Sequence, residues 1–290
     1  MFDPARLAAL AAVHRRGAFD LAAVELHVTP SAISQRIKAL EELTGTLLIR
    51  RGEPCIATEA GLRLIRHHDE VALLERTLSA DLPGLRSQAA TLRIAVNADS
   101  LATWVISALA ATEGFLFDLV IDDQDVSQDW LRRGEVMAAI TAHPGPLQGC
   151  DTIPLGRLRY LATASSGYLA TWFPQGVTEQ ALHHAPALTY SDKDQLQTRW
   201  AIARGLPRPA LPTHRMAASQ AFVDGCLLGL GWAMNPEPLV REHLAAGRLV
   251  EMVPGTPLDV ALYWQFTRLA APALRPVTEA IRQAAKAVLI

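Results

Sequence analysis

Short polar and basic side chains gather between residues 29 and 38 of the chain. They are Thr29, Ser31, Ser34, Gln35, Arg36 and Lys38. Hydroxyl and amide groups can hydrogen-bond the edges of DNA bases, and Arg or Lys side chains can reach bases or phosphates. The same spacing also fits an ordinary amphipathic helix with a solvated polar face. This stretch alone therefore leaves a DNA-reading helix and a plain surface helix equally open.

Two arginines, Arg50 and Arg51, follow at a predicted turn. Residues 47–49 and 55–57 have the residue types of two short strands. A hairpin directly after a candidate recognition helix is typical of a wing, which contacts the DNA backbone or enters the minor groove. The hairpin therefore favours the DNA-reading interpretation.

A second polar group lies near residue 100. Asn97, Asp99 and Ser100 follow a predicted strand and open a predicted helix. Free backbone amides at a helix start, together with the Ser100 hydroxyl, suit a carboxylate ligand. Three carboxylates in residues 122–125, at the end of the next strand, suit a cation. A ligand with both groups would satisfy both ends, but Asp99 as a helix cap beside a solvated acidic turn fits equally well.

The sequence carries no recognisable arrangement for catalysis or metal binding. No GxSxG, HExxH, phosphate-binding-loop or GxGxxG pattern sits on a strand-to-helix turn. Cys55, Cys150 and Cys226 lie far apart without CxxC spacing, which argues against a disulfide framework and a structural zinc site. We therefore expect no enzyme, no metal and no cofactor other than a small-molecule effector.

The composition is that of a globular protein with a large core. The 290 residues are 50% hydrophobic and 19% charged, and 27 basic residues face 29 acidic ones. The net charge of −2 excludes a uniformly basic coat but leaves room for a local basic face. We find no signal peptide and no apolar stretch of the roughly 18 residues that a membrane span needs. The expected location is the cytoplasm, without membrane contact.

The elements that position the N-terminal residues follow from their spacing. Residues 4–16 repeat apolar side chains at helical intervals, and a second short helix fits 19–26. Thr29 is a good N-cap and Pro30 suits the first position of the next helix. Two helices, a tight turn and a hairpin make residues 1–58 a winged helix-turn-helix.

The sequence predicts a long linker helix and a hinge over residues 59–88. Leu64, Val71 and Leu78 recur every seven residues, which gives an apolar stripe along one side of that helix. Such a stripe needs a partner, and a homodimer through this helix provides one. The alternative is that the stripe packs on the rest of the same chain.

Residues 89–290 alternate strands and helices, which predicts parallel sheets covered by helices. Two small α/β lobes with a cleft between them fit the periplasmic-binding-protein architecture. We place lobe I at about 89–162 and 266–290, and lobe II at about 163–265. The predicted fold class is therefore a two-lobed α/β effector domain behind a winged helix-turn-helix and a long linker helix.

The N-terminal sequence resembles the LysR-type transcriptional regulators. The resemblance rests on AAVELHVTPSAISQRIKALEELTGTLLIRR at 22–51 and on Thr-Glu-Ala-Gly at 58–61. The wing departs from the family pattern, with Leu48-Ile49 where Leu-Phe is usual. The resemblance implies DNA binding through α-helical and wing residues, and an effector domain of two lobes.

Three further stretches resemble the ArgP/LysG branch of that family, also described as IciA. They are NADSLATW at 97–104, IDDQDVSQDWLRRGEVMAAIT at 121–141 and LYWQ at 262–265. The resemblance implies sensing of lysine or arginine and control of a basic-amino-acid exporter gene.

Carried over by position, the resemblance also assigns an effector site. One wall would hold Asn97, Asp99, Ser100 and Trp104, the acidic side Asp123 and Asp125, and the opposite lobe Thr163 and Ser219. Asp192 and Asp194 could also face the cleft, but Ser191-Asp192 reads first as the cap of a helix over about 193–204.

The leading hypothesis is a regulator that binds double-stranded DNA and senses L-lysine or L-arginine. Its expected partners are a second copy bound through the linker helix, a further pair forming a homotetramer, and RNA polymerase at the promoter. The alternative is an effector-independent DNA-binding protein of architectural or replication-inhibiting type.

Overall fold

The computed structural model describes residues 2–81, 90–122, 127–145, 147–206 and 210–290. None of the helices in these ranges combines the length and apolar character that crossing a bilayer requires. The same ranges hold no group of three or more His, Cys, Asp or Glu side chains that could share a metal ion.

Three helices and a short hairpin form the N-terminal unit, the reader. Its elements are α1 (Pro4–Arg16), α2 (Phe19–Glu25), α3 (Pro30–Thr44), β1 (Ile49–Arg50) and β2 (Ile56–Ala57). The two strands pair antiparallel. Leu10, Ile33 and Leu40 are fully buried, so the helices share one core. The predicted winged helix-turn-helix is confirmed.

The linker helix α4 (Glu59–Asp81) starts under a tight steric constraint. A β-carbon built on Gly61 would lie 2.2 Å from the carbonyl oxygen of Leu48. The Thr58 hydroxyl donates to the Leu47 carbonyl at 2.8 Å and accepts from the Gly61 amide at 3.2 Å. The Thr-Glu-Ala-Gly motif therefore fixes how the helix leaves the wing.

Lobe I is built on parallel strands. Its elements are β3 (Ala90–Asn97), α5 (Ala98–Ser100), a π-helical turn (Leu101–Val105), α6 (Ile106–Ala110), β4 (Phe115–Asp122), α7 (Ser127–Arg132) and β5 (Ala138–Thr141). Strand β3 lies between β4 and β5 and runs parallel to both. Asn97 pairs in register with Asp122, so the carboxyl ends of β3 and β4 lie side by side.

The rest of the chain forms lobe II and returns to lobe I. Its elements are β6 (Cys150–Ala164), α8 (Ser166–Trp172), α9 (Glu179–Leu182), β7 (Ala187–Thr189), α10 (Leu196–Ala203), β8 (Thr213–Arg215), α11 (Ser219–Leu227), β9 (Ala233–Pro236), α12 (Glu237–Ala245), β10 (Val250–Glu251), β11 (Leu258–Thr267), a 3-10 turn (Arg268–Ala270) and α13 (Ala271–Val288). Helix α13 packs against α6 and β6, with Leu274, Val277 and Ile281 buried.

Two long antiparallel strands, β6 and β11, connect the lobes. At the lobe I end, β11 lies between β5 and β6. At the lobe II end, β6 pairs with β9 and β10. The predicted lobe boundaries, at 162/163 and 265/266, fall inside these two strands. The architecture is the expected two-lobed α/β domain, but its main sheet is mixed and not parallel as predicted, because β6, β9, β10 and β11 run antiparallel to their partners.

One side of α4 docks on lobe I of the same chain. Leu73 is 1% exposed and joins the lobe I core. The Arg76 guanidinium lies 3.8 Å from the centre of the Phe115 ring and donates to the Gly114 carbonyl at 2.9 Å. Leu78, on the predicted stripe, is 59% exposed instead. Leu64, which packs on the reader core, and Val71 are half-buried, so among the described side chains of α4 the outward apolar stripe consists of Leu74 and Leu78.

The segment before α10 differs from the prediction. The helix begins at Leu196, and Ser191-Asp192 does not cap it. Instead the Asp194 carboxylate accepts from the Tyr190 amide at 2.9 Å and from the Leu196 amide at 3.0 Å. Asp192 is exposed and pairs with Arg215. A carboxylate two residues before the helix satisfies local amides in place of a cap, and this moves the helix start.

Candidate DNA-reading face and effector cleft

The start of α3 is fixed by capping. The Thr29 hydroxyl accepts from the Ala32 amide at 3.2 Å and lies 3.0 Å from the Ser31 hydroxyl. Pro30 occupies the first helical position, where the missing amide costs no hydrogen bond. Thr29 is therefore engaged in holding the helix start, which presents Ser31 at the tip of the unit.

The polar face of α3 is open to solvent. Ser31, Gln35 and Lys38 are exposed, whereas Ser34 and Arg36 are half-buried. The opposite face, with Ile33 and Ile37, is buried against α1 and α2. The helix therefore has one anchored side and one side free to enter a DNA groove.

The wing stands next to this face. Arg50 and Arg51 are both exposed, and the Arg51 guanidinium lies 5.0 Å from the centre of the Phe19 ring. The Glu41 carboxylate accepts from the Leu48 amide at 2.9 Å, which ties the hairpin to α3. A groove of about 1010 Å³ between α3 and the wing is lined by Ser34, Gln35, Lys38 and Arg51, among others. Four of the eight predicted contact residues therefore border one concave surface, whereas Thr29, Ser31, Arg36 and Arg50 are not among its lining residues.

A carboxylate bridges the two lobes in the effector cleft. Asp99, at the start of α5, accepts from the Ser219 hydroxyl at 2.6 Å and from the Tyr160 hydroxyl at 2.8 Å. Ser219 begins α11 in lobe II, and Tyr160 lies on the connecting strand β6. Asp99 therefore spans the cleft.

The cleft holds a cavity of about 410 Å³. Lobe I contributes Asn97, Ala98, Asp99 and Asp122, and the other side contributes Tyr190, Asp194, Leu196, Ser219, Phe222 and Met234. Part of this volume is open to solvent. Apolar side chains from α11 and β9 face polar ends of β3 and β4, which suits a ligand with an aliphatic part and polar ends.

The cavity is acidic. Asp99, Asp122 and Asp194 line it, and none of the described lining residues is Lys, Arg or His. Concentrated negative charge in a partly enclosed site attracts cations, because the walls keep water from screening it fully. The arrangement is chemically suited to a ligand that carries an ammonium or guanidinium group.

Several predicted effector residues do not line this cavity. Ser100 is fully buried, and Trp104 is 1% exposed within the lobe I core. Thr163 is also fully buried, and its hydroxyl accepts from the Asn235 amide group at 2.9 Å. Asp123 and Asp125 lie outside the described residues. Direct ligand contact by these five side chains stays a prediction.

The structure adds site residues that the sequence reasoning did not select. Tyr160, Tyr190 and Phe222 come from strands and helices far along the chain from Asp99. No local pattern distinguishes such aromatic residues from core positions. The sequence did indicate Asp194, because it stands in a polar run before a predicted helix. That run was explained first as a helix cap, so Asp194 was not selected.

A second, charged cavity of about 510 Å³ lies where the reader, α4 and lobe I meet. Its charged or titratable lining residues are His14, Arg15, Arg66, Asp69, Arg93, Asp118 and Glu135. Burial raises the pKa of Asp69 to about 6, although Arg15 pulls it down. Burial also lowers the pKa of His14, whose Nδ1 accepts from the Ala57 amide at 3.4 Å.

Two sequence families match almost the whole chain. The family described as "Bacterial regulatory helix-turn-helix protein, lysR family" matches residues 4–62. The family described as "LysR substrate binding domain" matches residues 85–286. The chain belongs to the LysR family. Membership makes it a DNA-binding transcriptional regulator and not an enzyme.

Individual LysR proteins are similar over their full length. The transcriptional regulator LysG of Mycobacterium tuberculosis (strain ATCC 25618 / H37Rv) is 42% identical, covering 98% of this chain and 93% of the relative. The crystal structure of ArgP from Mycobacterium tuberculosis has a TM-score of 0.82 and 40% identity, with 100% and 99% of the two chains covered.

A third similar protein was solved with a ligand. Full-length LysG from Corynebacterium glutamicum, with bound effector Arg, has a TM-score of 0.70 and 32% identity, and the match covers 99% of each chain. The resemblance to LysR regulators, and to LysG and ArgP among them, is confirmed by these comparisons.

Proposed function

We propose that this LysR regulator senses a basic amino acid, L-lysine or L-arginine, in the cleft between its lobes. The observation that carries the proposal is the acidic cavity lined by Asp99, Asp122 and Asp194 without a lining cation among the described residues. The bound Arg in LysG of Corynebacterium glutamicum supports the same ligand class. The backbone amides at the start of α11 are suited to the ligand carboxylate.

Effector binding would change lobe closure. Asp99 already links the lobes through Ser219. A ligand that competes for Asp99 would lower the fraction of molecules with a closed cleft, and a ligand that strengthens this link would raise it. Closure would then change the spacing of the reader units in the assembly. The regulated gene we propose is a basic-amino-acid exporter, with RNA polymerase at the same promoter, all in the cytoplasm.

DNA binding would use α3 and the wing. Ser31, Ser34 and Gln35 would contact base edges, and Arg36, Lys38, Arg50 and Arg51 would contact bases or phosphates. Thr29 would act by holding the helix start in place. The shared groove between α3 and the wing supports this division of roles.

The outward stripe of α4 would bind a second copy of the chain. Leu74 and Leu78 are 45% and 59% exposed on a helix of 23 residues, which is long enough for a paired-helix interface. Two such dimers would form a homotetramer, placing several readers on one stretch of DNA.

Calorimetry with L-arginine, L-lysine and L-citrulline tests the sensing proposal. Citrulline keeps the shape of arginine but lacks its positive charge. We expect at least one basic amino acid to bind at least about tenfold more tightly than citrulline, the equivalent of about 1.4 kcal/mol. The ligand that binds should also alter the footprint on promoter DNA.

Asp99→Asn supplies the matched variant. It keeps the side-chain size, removes the charge, and should weaken binding of the basic amino acid. The exposed Asp192→Asn removes the same charge outside the cavity and should not. Binding of DNA without a response to any of the three ligands would instead establish the effector-independent alternative.

A further inference from the structure

Helix α7 carries a tryptophan that holds a carboxylate of the effector cleft. The Trp130 indole N–H donates to Asp122 Oδ2 at 3.0 Å. Asp122 ends strand β4 and lines the cavity, whereas Trp130 is absent from the cavity lining. The tryptophan therefore contacts the site through Asp122.

Buried amides anchor α7 to the sheet. Gln128 Nε2 donates to Gln265 Oε1 at 2.9 Å and to the Gly145 carbonyl at 3.1 Å. Gln265 Nε2 donates in turn to the carbonyls of His143 and Gly145, both at 2.9 Å. Gln128 is 7% exposed and Gln265 fully buried. Satisfied buried amides resist rearrangement, so α7 has a fixed position on strand β11.

The Trp130 ring is also held from its other side. The Arg133 guanidinium lies 4.7 Å from the ring centre and donates to the Glu135 carboxylate at 2.5 Å. A cation stacked on an indole restrains the ring. The direction of the indole N–H is therefore set before a ligand enters the cleft.

We propose that Trp130 is a positioning residue for effector recognition. Its indole N–H fixes the Asp122 carboxylate in the cavity and so sets the preference for a cationic ligand group over a neutral one. The inference rests on the proposed function, since it assigns Asp122 to the ammonium or guanidinium group. A pre-oriented acceptor binds more tightly because less side-chain freedom is lost on binding.

Trp130→Phe tests this role by removing the N–H while keeping an aromatic ring. In calorimetry on the full chain, we expect arginine affinity to fall about tenfold and citrulline affinity to change less than about twofold. Trp130→His retains a ring N–H and should keep most of the selectivity. If wild-type protein binds lysine more tightly, L-lysine and L-norleucine replace the ligand pair.

Trp200→Phe is the matched control. The substitution also removes a hydrogen bond from an indole N–H, here to the Thr256 carbonyl at 2.9 Å, and this bond lies outside the cleft. Both ligand affinities should stay as in wild type.

The double variant Trp130→Phe, Asp122→Asn separates positioning from damage to the fold. If Trp130 acts through Asp122, the double variant binds arginine no more weakly than Asp122→Asn alone. Additive losses, or equal losses for arginine and citrulline, would overturn the role of Trp130 and leave the proposed function standing. A wild-type chain with no preference for the charged ligand would overturn both.

Discussion

Arg36 and Lys38 differ in how far the protein already balances their charge. The Lys38 ammonium lies 3.8 Å from the Glu42 carboxylate, on an exposed helix face. No carboxylate pairs with Arg36 within the ranges that the structure describes. A pairing this exposed contributes little free energy, so both cations remain available to a nucleic acid.

The double variant Arg36→Ala, Lys38→Ala should weaken promoter binding and its dependence on salt. Each phosphate that the protein no longer neutralises reduces the steepness of log affinity against log salt concentration by about 0.9. Gel shift or anisotropy titrations over a range of salt concentrations measure both effects.

The double variant Arg275→Ala, Lys286→Ala removes the same charge from two exposed positions of α13 and serves as control. If the reader variant bound DNA as tightly as this control at matched salt, α3 would not be the reading helix.

Among single residues, the sequence predicted those cleft residues whose position at the end of a strand or helix is visible in the neighbouring sequence. Asn97, Asp99 and Ser219 lie at strand and helix ends, where polar groups gather for general reasons, and all three line the cavity. The hydrogen-bond partners of Asp99 are distant in sequence: Tyr160 is 61 residues away and Ser219 is 120 residues away. Such pairings depend on tertiary packing, so spacing along the chain could not reveal them.

At the scale of elements, α3 shows why some bounds were predictable. Thr29 and Pro30 predicted its start, and the helix, Pro30–Thr44, begins there. Helices α8, α9 and α12 were not predicted, although Ser165 caps α8 and a proline and a glutamate stand in the first turn of α12. The exposed and buried sides of α4 were likewise not separable, since apolar residues occur on both.

Gly61→Ala tests the close approach of α4 to the wing. The added β-carbon would lie 2.2 Å from a backbone oxygen, so the helix or the hairpin must shift. We expect a loss of about 1–3 kcal/mol in the free energy of unfolding. Urea unfolding followed by circular dichroism measures it.

Gly167→Ala is the control for helix propensity. Gly167 also lies early in a helix, with nothing within 4 Å of the added carbon. Alanine there should be neutral or stabilise by up to about 1 kcal/mol. Equal effects of the two substitutions would refute the steric constraint at Gly61.

At the scale of the whole molecule, the charged cavity joins the reader to the sensor. Arg15 from α1 and Asp69 from α4 approach within 4.0 Å there. Arg93 from β3 lies 3.2 Å from Asp118 of β4 on the lobe I side. The orientation of the reader on lobe I therefore depends on charges supplied by three separate parts of the chain.

Asp69→Asn should stabilise the protein near neutral pH. Burial raises the pKa of Asp69 from 3.8 in the unfolded chain to about 6. The protonated carboxyl therefore favours folding below about pH 4, and this contribution is lost as the pH rises through about 6. Asparagine stays neutral, so the variant should gain roughly 1–2 kcal/mol at pH 7.5 and little at pH 4.

Thermal unfolding from pH 4 to 7.5 measures the difference between wild type and variant. His14 titrates in the opposite sense, since burial lowers its pKa, but it is common to both proteins and cancels in the difference. A difference between Asp69→Asn and wild type that does not vary with pH would contradict the burial of this charge.

The position of β11 in the sheet has a consequence for how the protein is made. The reader has a core of its own, drawn from residues 7–65, and can fold while the ribosome is still translating the sensor. Lobe I cannot close then, because β11 lies between β5 and β6 and is synthesised about a hundred residues after them. Each nascent chain thus passes through a stage in which the reader can fold but lobe I still lacks the strand that joins β5 to β6.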